Sequence, residues 1–97
     1  MKFDGFDWDS GNLAKCQKHG VPVAEIESLF SGTPLVAPDA SHSTNEQRFR
    51  AVGRTITKRP LFVVFTLRKN GETILIRPIS SRYMHKKEIA AHEKEIP

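Results

Sequence analysis

At 97 residues the chain can bury one core but not two that would each be stable alone, so one domain spanning 1–97 is expected. With 38% hydrophobic and 27% charged residues it lies far from the composition of disordered chains, and its longest apolar run, Leu61–Phe65, is too short to cross a bilayer. The net charge of +4 divides unevenly, −3 over residues 1–45 and +7 over residues 46–97; such an excess suits a polyanion, although a generally basic soluble surface gives the same total.

Taken from the start, Met1-Lys2-Phe3-Asp4-Gly5 has neither a basic n-region nor an apolar h-region, and Phe3–Trp8 alternates imperfectly as a short first strand. Asp9 or Ser10 can cap a helix running to about His19, with Gly20 just past its end. The single cysteine, Cys16, fits a reducing compartment and is read as a packing residue, so a cytoplasmic protein without a membrane segment is expected. Pro22 suits the first turn of a second helix whose apolar stripe is Val23, Ile26, Leu29 and Phe30, ended by Ser31-Gly32 and Pro34.

Leu35-Val36-Ala37 reads as a brief strand before the polar loop Asp39–Asn45. Three stronger strands follow, Gln47–Thr55, Leu61–Arg68 and Glu72–Ile79, the last two joined by a hairpin at Lys69-Asn70-Gly71. Leu61–Phe65 is apolar on both faces and should be the middle of the sheet. From Tyr83 or Met84 to Glu95 the pattern is helical, with Met84, Ile89 and Ile96 as contacts and Glu88 and His92 spaced to pair. The expected fold is α+β: an N-terminal strand and helix pair, an antiparallel sheet of about four strands and a C-terminal helix.

Period-two alternation in Gln47–Thr55 puts Phe49 and Ala51 on one face and Arg48, Arg50, Val52 and Arg54 on the other. Arginines grouped on one sheet face can clamp phosphate oxygens, and a merely solvated face looks the same. Asn12, Lys15 and His19 share one face of the first helix with Lys18 beside them. Histidine as a residue type exchanges protons near neutrality and lysine stabilises phosphorane charge, whereas Lys-His-Gly at a helix end equally complements the helix dipole. Arg77, Arg82, Lys86 and Lys87 follow the hairpin; Ser81 can cap the last helix, and Arg82 at a strand-to-helix junction can meet a phosphate or pair with Glu88 or Glu46. His42, His85 and His92 are scattered, and no Cys/His spacing supports a metal. A metal-free reaction on RNA remains, since RNA supplies its own 2′-hydroxyl nucleophile.

Several segments resemble, in order, the BrnT family: Phe6-Asp7-Trp8-Asp9; Asn12; Lys18-His19-Gly20-Val21; Glu46-Gln47-Arg48-Phe49-Arg50-Ala51-Val52-Gly53-Arg54-Thr55; Leu61-Phe62-Val63-Val64-Phe65-Thr66; Ile76-Arg77-Pro78-Ile79-Ser80-Ser81-Arg82; and Lys86-Lys87-Glu88. Ser80-Ser81-Arg82 stands where the family usually has Ser-Ala-Arg. The resemblance implies a RelE-like ribonuclease toxin of a type II toxin–antitoxin system, cleaving RNA to arrest translation. It also implies neutralisation by a BrnA-like ribbon-helix-helix antitoxin, contact with DNA only through that antitoxin, a homodimeric toxin core, and no cofactor. Carried onto this sequence, the family motifs mark Lys18, His19, Arg48, Arg54, Arg77 and Arg82, with Glu88 as a weaker candidate. The expected catalytic set is His19, Lys18, Arg54 and Arg82, and the expected RNA-binding set Arg48, Arg50, Arg77, Lys86 and Lys87. A non-catalytic nucleic-acid-binding module and a protein-interaction module using the same basic face are the alternatives.

Overall fold

The computed structural model describes residues 2–41 and 45–92, with side chains through residue 90. In chain order the elements are β1 (Gly5–Phe6), α1 (Ser10–Gln17), α2 (Val23–Ser31), β2 (Leu35–Pro38), β3 (Phe49–Arg54), β4 (Pro60–Asn70), β5 (Thr73–Tyr83) and α3 (Lys86–His92). The α+β class is as expected, but the sheet has five strands in the order β1-β5-β4-β3-β2 rather than about four, and it is mixed. The difference lies in β1, which pairs parallel to β5 (Gly5 opposite Leu75, Phe6 opposite Ile76) while every other pairing is antiparallel.

The chemistry of the caps sets the helix bounds. Asp9 accepts from the backbone N–H groups of Gly11 and Asn12, and the Asn12 amide oxygen accepts in return from Asp9 N–H, a reciprocal cap that starts α1. Gly20, at φ 80°, turns the chain toward α2, with Pro22 one position earlier than expected, at the N-cap. The hairpin expected at Lys69-Asn70-Gly71 is present, but Asn70 stays in β4 opposite Thr73 and the turn itself is Gly71-Glu72, with Gly71 at φ 62°. Strand β5 runs to Tyr83, four residues beyond its expected end, because Ser80–Tyr83 keep pairing with Leu61–Val64. Ser81 is therefore a strand residue, not a helix cap. The described part of α3 starts at Lys86, and the expected contact of Ile96 lies outside the described residues, as does His42.

Both N-terminal helices cover one face of the sheet, and the core fills the space between. Five of the six phenylalanines form a chain of ring contacts: Phe3, Phe6 and Phe30 edge to face, Phe30 to Phe65 at 5.0 Å, and Phe65 stacked on Phe49 at 5.5 Å. The sixth, Phe62, faces the opposite side. As expected β4 is central, and Leu61, Val63, Val64 and Phe65 are all buried. Where α2 crosses β3 there is no room for a side chain: a Cβ on Gly53 would lie 2.9 Å from Leu29 Cδ1 and 3.3 Å from the Pro34 backbone. Gly53→Ala is expected to lower stability by about 1–3 kcal/mol through overpacking. A thermal melt unchanged by this substitution would mean that α2 can retreat.

Candidate functional site

The face of the sheet turned away from α1 and α2 carries two of the three arginines that the alternation predicts there, Arg48 lying before β3, which starts at Phe49. Arg50, Val52 and Arg54 project there, opposite Val64, Phe62 and Pro60 of β4, while Phe49 and Ala51 pack toward the core. On β5, Ser80 and Arg82 are opposite Val64 and Phe62, so Arg82 joins the same face. Arg50 and Arg54 on β3 and Arg82 on β5 thus flank the ring of Phe62 on β4 between them.

Arg82 is held from two sides. Its guanidinium carbon lies 4.9 Å from the Phe62 ring centroid, and its two terminal nitrogens donate to the Glu88 carboxylate at 2.6 and 2.8 Å. Glu88 also accepts from the backbone N–H of His85 at 2.9 Å. The Arg82 guanidinium first, and that N–H second, draw the Glu88 carboxyl down to about 2, while Arg82 is held above its ordinary value by the same pair. Glu88 thus meets Arg82, one of the two readings of Arg82 that the sequence leaves open, and the expected pairing with the His92 side chain lies outside the described residues. The pair anchors α3 to the sheet, with Lys86 and Lys87 exposed on that helix. Beside it, β2, β3, β4 and α3 enclose a pocket of about 380 Å³ lined mainly by apolar side chains.

Lys18 and His19 follow α1 in the helix layer, on the side of the sheet opposite the arginine face. Helix α1 ends at Gln17, so His19 sits in the turn beyond it and shares no helical face with Asn12 and Lys15. Asn12 is buried, donating to the carbonyls of Asp7 and Pro78 at 2.9 Å each. Ser81 Oγ donates to the Cys16 carbonyl at 2.6 Å. Because Asn12 meets Pro78 and Cys16 meets Ser81, α1 runs in the same direction as β5 and delivers Lys18 and His19 to the Tyr83 end of the sheet. Both are exposed. Arg54, opposite Pro60 and so adjacent to the Leu61–Tyr83 pair, belongs to this end as well.

Two of the expected RNA-binding arginines face carboxylates. Arg77 sits 2.9 Å from Asp9 and 3.5 Å from Asp7, tying β5 to the N-cap loop of α1. The Asn12 backbone N–H, then Arg77, hold the Asp9 carboxyl below its usual value. Arg48 lies 3.7 Å from Glu46, which also takes Arg68 at 2.6 Å.

A cluster absent from the sequence expectations occupies the Tyr83 end. Glu25 is buried and accepts from Thr55 and Thr57, with the Tyr83 hydroxyl at 3.3 Å; Arg59 lies 3.4 Å above the Tyr83 ring. Hydrogen bonds, led by that from Thr57, keep the Glu25 carboxyl below its ordinary value, while burial and then the Glu25 charge push the Tyr83 hydroxyl up. One signal was available: Glu25 interrupts the apolar stripe of α2, four residues before Leu29. Nothing comparable marks Arg59, which precedes an apolar strand as any charged residue would.

Cys16 is fully buried, and desolvation raises its thiol to about 11, so its chemistry is that of a packing residue. Among the described residues no three His, Cys, Asp or Glu side chains gather in a metal-ligating group, and no helix is long and apolar enough to cross a membrane. A family model described as "Ribonuclease toxin, BrnT, of type II toxin-antitoxin system" matches residues 8–88. Among the curated proteins compared with the chain, none matches.

Proposed function

The chain belongs to the BrnT family of ribonuclease toxins of type II toxin–antitoxin systems, and from that premise we propose that it cleaves RNA without a metal, by attack of a ribose 2′-hydroxyl on the adjacent phosphate. The observation that best supports this reading is the Ser81–Cys16 hydrogen bond, which holds the end of α1 beside β5 and so brings Lys18 and His19 to the end of the sheet that also bears Arg54. RNA would lie along the arginine face and around that end.

In the reaction the 2′-oxygen bonds to phosphorus, the bond from phosphorus to the 5′-oxygen breaks, and the products are a 2′,3′-cyclic phosphate and a 5′-hydroxyl. One proton leaves the 2′-oxygen and one is delivered to the 5′-oxygen; His19 carries out one of these transfers. Lys18, Arg54 and Arg82 stabilise the extra negative charge on the phosphorane oxygens. Arg50, Lys86, Lys87, Arg48 and Arg77 hold flanking phosphates, and Arg48 and Arg77, which like Arg82 face carboxylates, also fix the strands. This is a RelE-like arrangement acting in the cytoplasm to stop translation. A BrnA-like ribbon-helix-helix antitoxin neutralises it, supplies the only contact with DNA, and completes a complex built on a toxin homodimer.

End-labelled RNA incubated with the purified protein in excess chelator is expected to yield fragments ending in 2′,3′-cyclic phosphate. Retention of RNA without fragments would return the face to a non-catalytic binding module, and products formed only when divalent cations are restored would remove the metal-free mechanism.

A further inference from the structure

The pocket on the arginine face has a floor that RNA does not call for. Leu35 of β2, Val52 of β3, Phe62 of β4 and Met84 line it, and Leu35 is 44% exposed. Single-stranded RNA is gripped by stacking bases on aromatic faces, yet the one aromatic side chain in this lining, Phe62, already has the Arg82 guanidinium over its ring. Aliphatic surface of this kind, beside a basic rim, marks a contact with protein. The surrounding charges fix the sign of that protein. Glu88, the one acid in the lining, is engaged by both terminal nitrogens of Arg82, while Arg50 makes no ion pair among the described residues.

We infer that this pocket is the docking site of the antitoxin, which presents an apolar segment bearing a carboxylate. Its apolar side chains fill the space between Leu35, Val52 and Met84, and its carboxylate pairs with Arg50. The inference rests on the reading of the chain as a toxin with a cognate antitoxin. Strand β2 ends the sheet order, and among the described residues no strand pairs with its outer edge. Pro34 precedes it and Pro38 closes it, which confines such pairing to Leu35, Val36 and Ala37 and leaves side-chain burial as the main source of affinity. A segment seated here covers Arg50 and lies against Arg82, so docking and inhibition are one event.

Leu35→Asp puts a like charge where the antitoxin's carboxylate and apolar groups arrive. Calorimetric titration with the antitoxin encoded beside this chain's own gene is expected to show an affinity at least tenfold weaker, and co-expressed antitoxin should no longer restore growth. Thermal stability and toxicity without antitoxin stay as in the unsubstituted protein. Leu35→Ser, which adds no charge, weakens binding less and serves if the aspartate variant does not fold. Ile56→Asp, at a hairpin tip outside the pocket where Ile56 is 76% exposed, leaves the affinity unchanged. Unaltered affinity of both Leu35 variants overturns the inference. So does a change in toxin self-association, or a loss of RNA binding, with antitoxin affinity intact, since the pocket would then belong to a second copy or to RNA. If the unsubstituted protein cleaves no RNA, the ribonuclease reading fails, but the affinity comparison still decides the docking site.

Discussion

His19→Ala is expected to slow RNA cleavage by roughly 10²–10⁴-fold, the range that a positioned proton-transfer group contributes, and to abolish growth arrest. The side chain is exposed and lies beyond α1, whose end is fixed by backbone hydrogen bonds and by Gly20, so the substitution removes no core contact. Thermal melting should therefore be unchanged. Soluble, folded His19→Ala protein with full toxicity would remove His19 from the reaction and leave the Lys-His-Gly sequence as a helix-end complement alone. Arg82→Ala is a less clean probe, because it also releases Glu88 and with it the anchor of α3.

The largest effect on stability is expected at Phe65. Its ring is fully buried on the central strand and touches Phe30 of α2 and Phe49 of β3, so it joins the helix layer to two strands at once. Truncation to alanine should cost about 3–5 kcal/mol, a large share of the roughly 5–15 kcal/mol that holds a domain folded. Thermal melting should report a midpoint lower by about 12 °C or more. A loss below about 1 kcal/mol would show that the phenylalanine chain collapses around the gap, and that the ring contacts are not the link between layers.

Local chemistry made much of this fold legible in the sequence. The cap at Asp9, the positive φ at Gly20, the apolar stripe of α2 and the centrality of Leu61–Phe65 are each settled by residues near one another in the chain. The alternation of β3 correctly separated Arg50 and Arg54 from Phe49 and Ala51. What could not be read was set by partners remote in sequence. The parallel addition of β1 and the extension of β5 to Tyr83 both depend on which strand lies alongside. The same is true of the site. Sequence named Lys18, His19 and Arg82 as charged groups, but their position relative to the sheet follows from the Ser81–Cys16 and Asn12–Pro78 hydrogen bonds, each spanning more than sixty residues. Arg77 and Arg48 carried the same family signal as Arg54, and the acids that Arg77 and Arg48 face are seen only in the fold.

The pairing of Gly5 with Leu75 has a consequence for the chain as it is translated. Strand β1 must wait for β5, which is translated about seventy residues later, and α1 has no β5 to lie against until the same moment. A nascent chain long enough to display Lys18 and His19 still lacks the strand that positions them. The surface proposed to act on RNA is thus assembled only after almost all of the described chain has emerged.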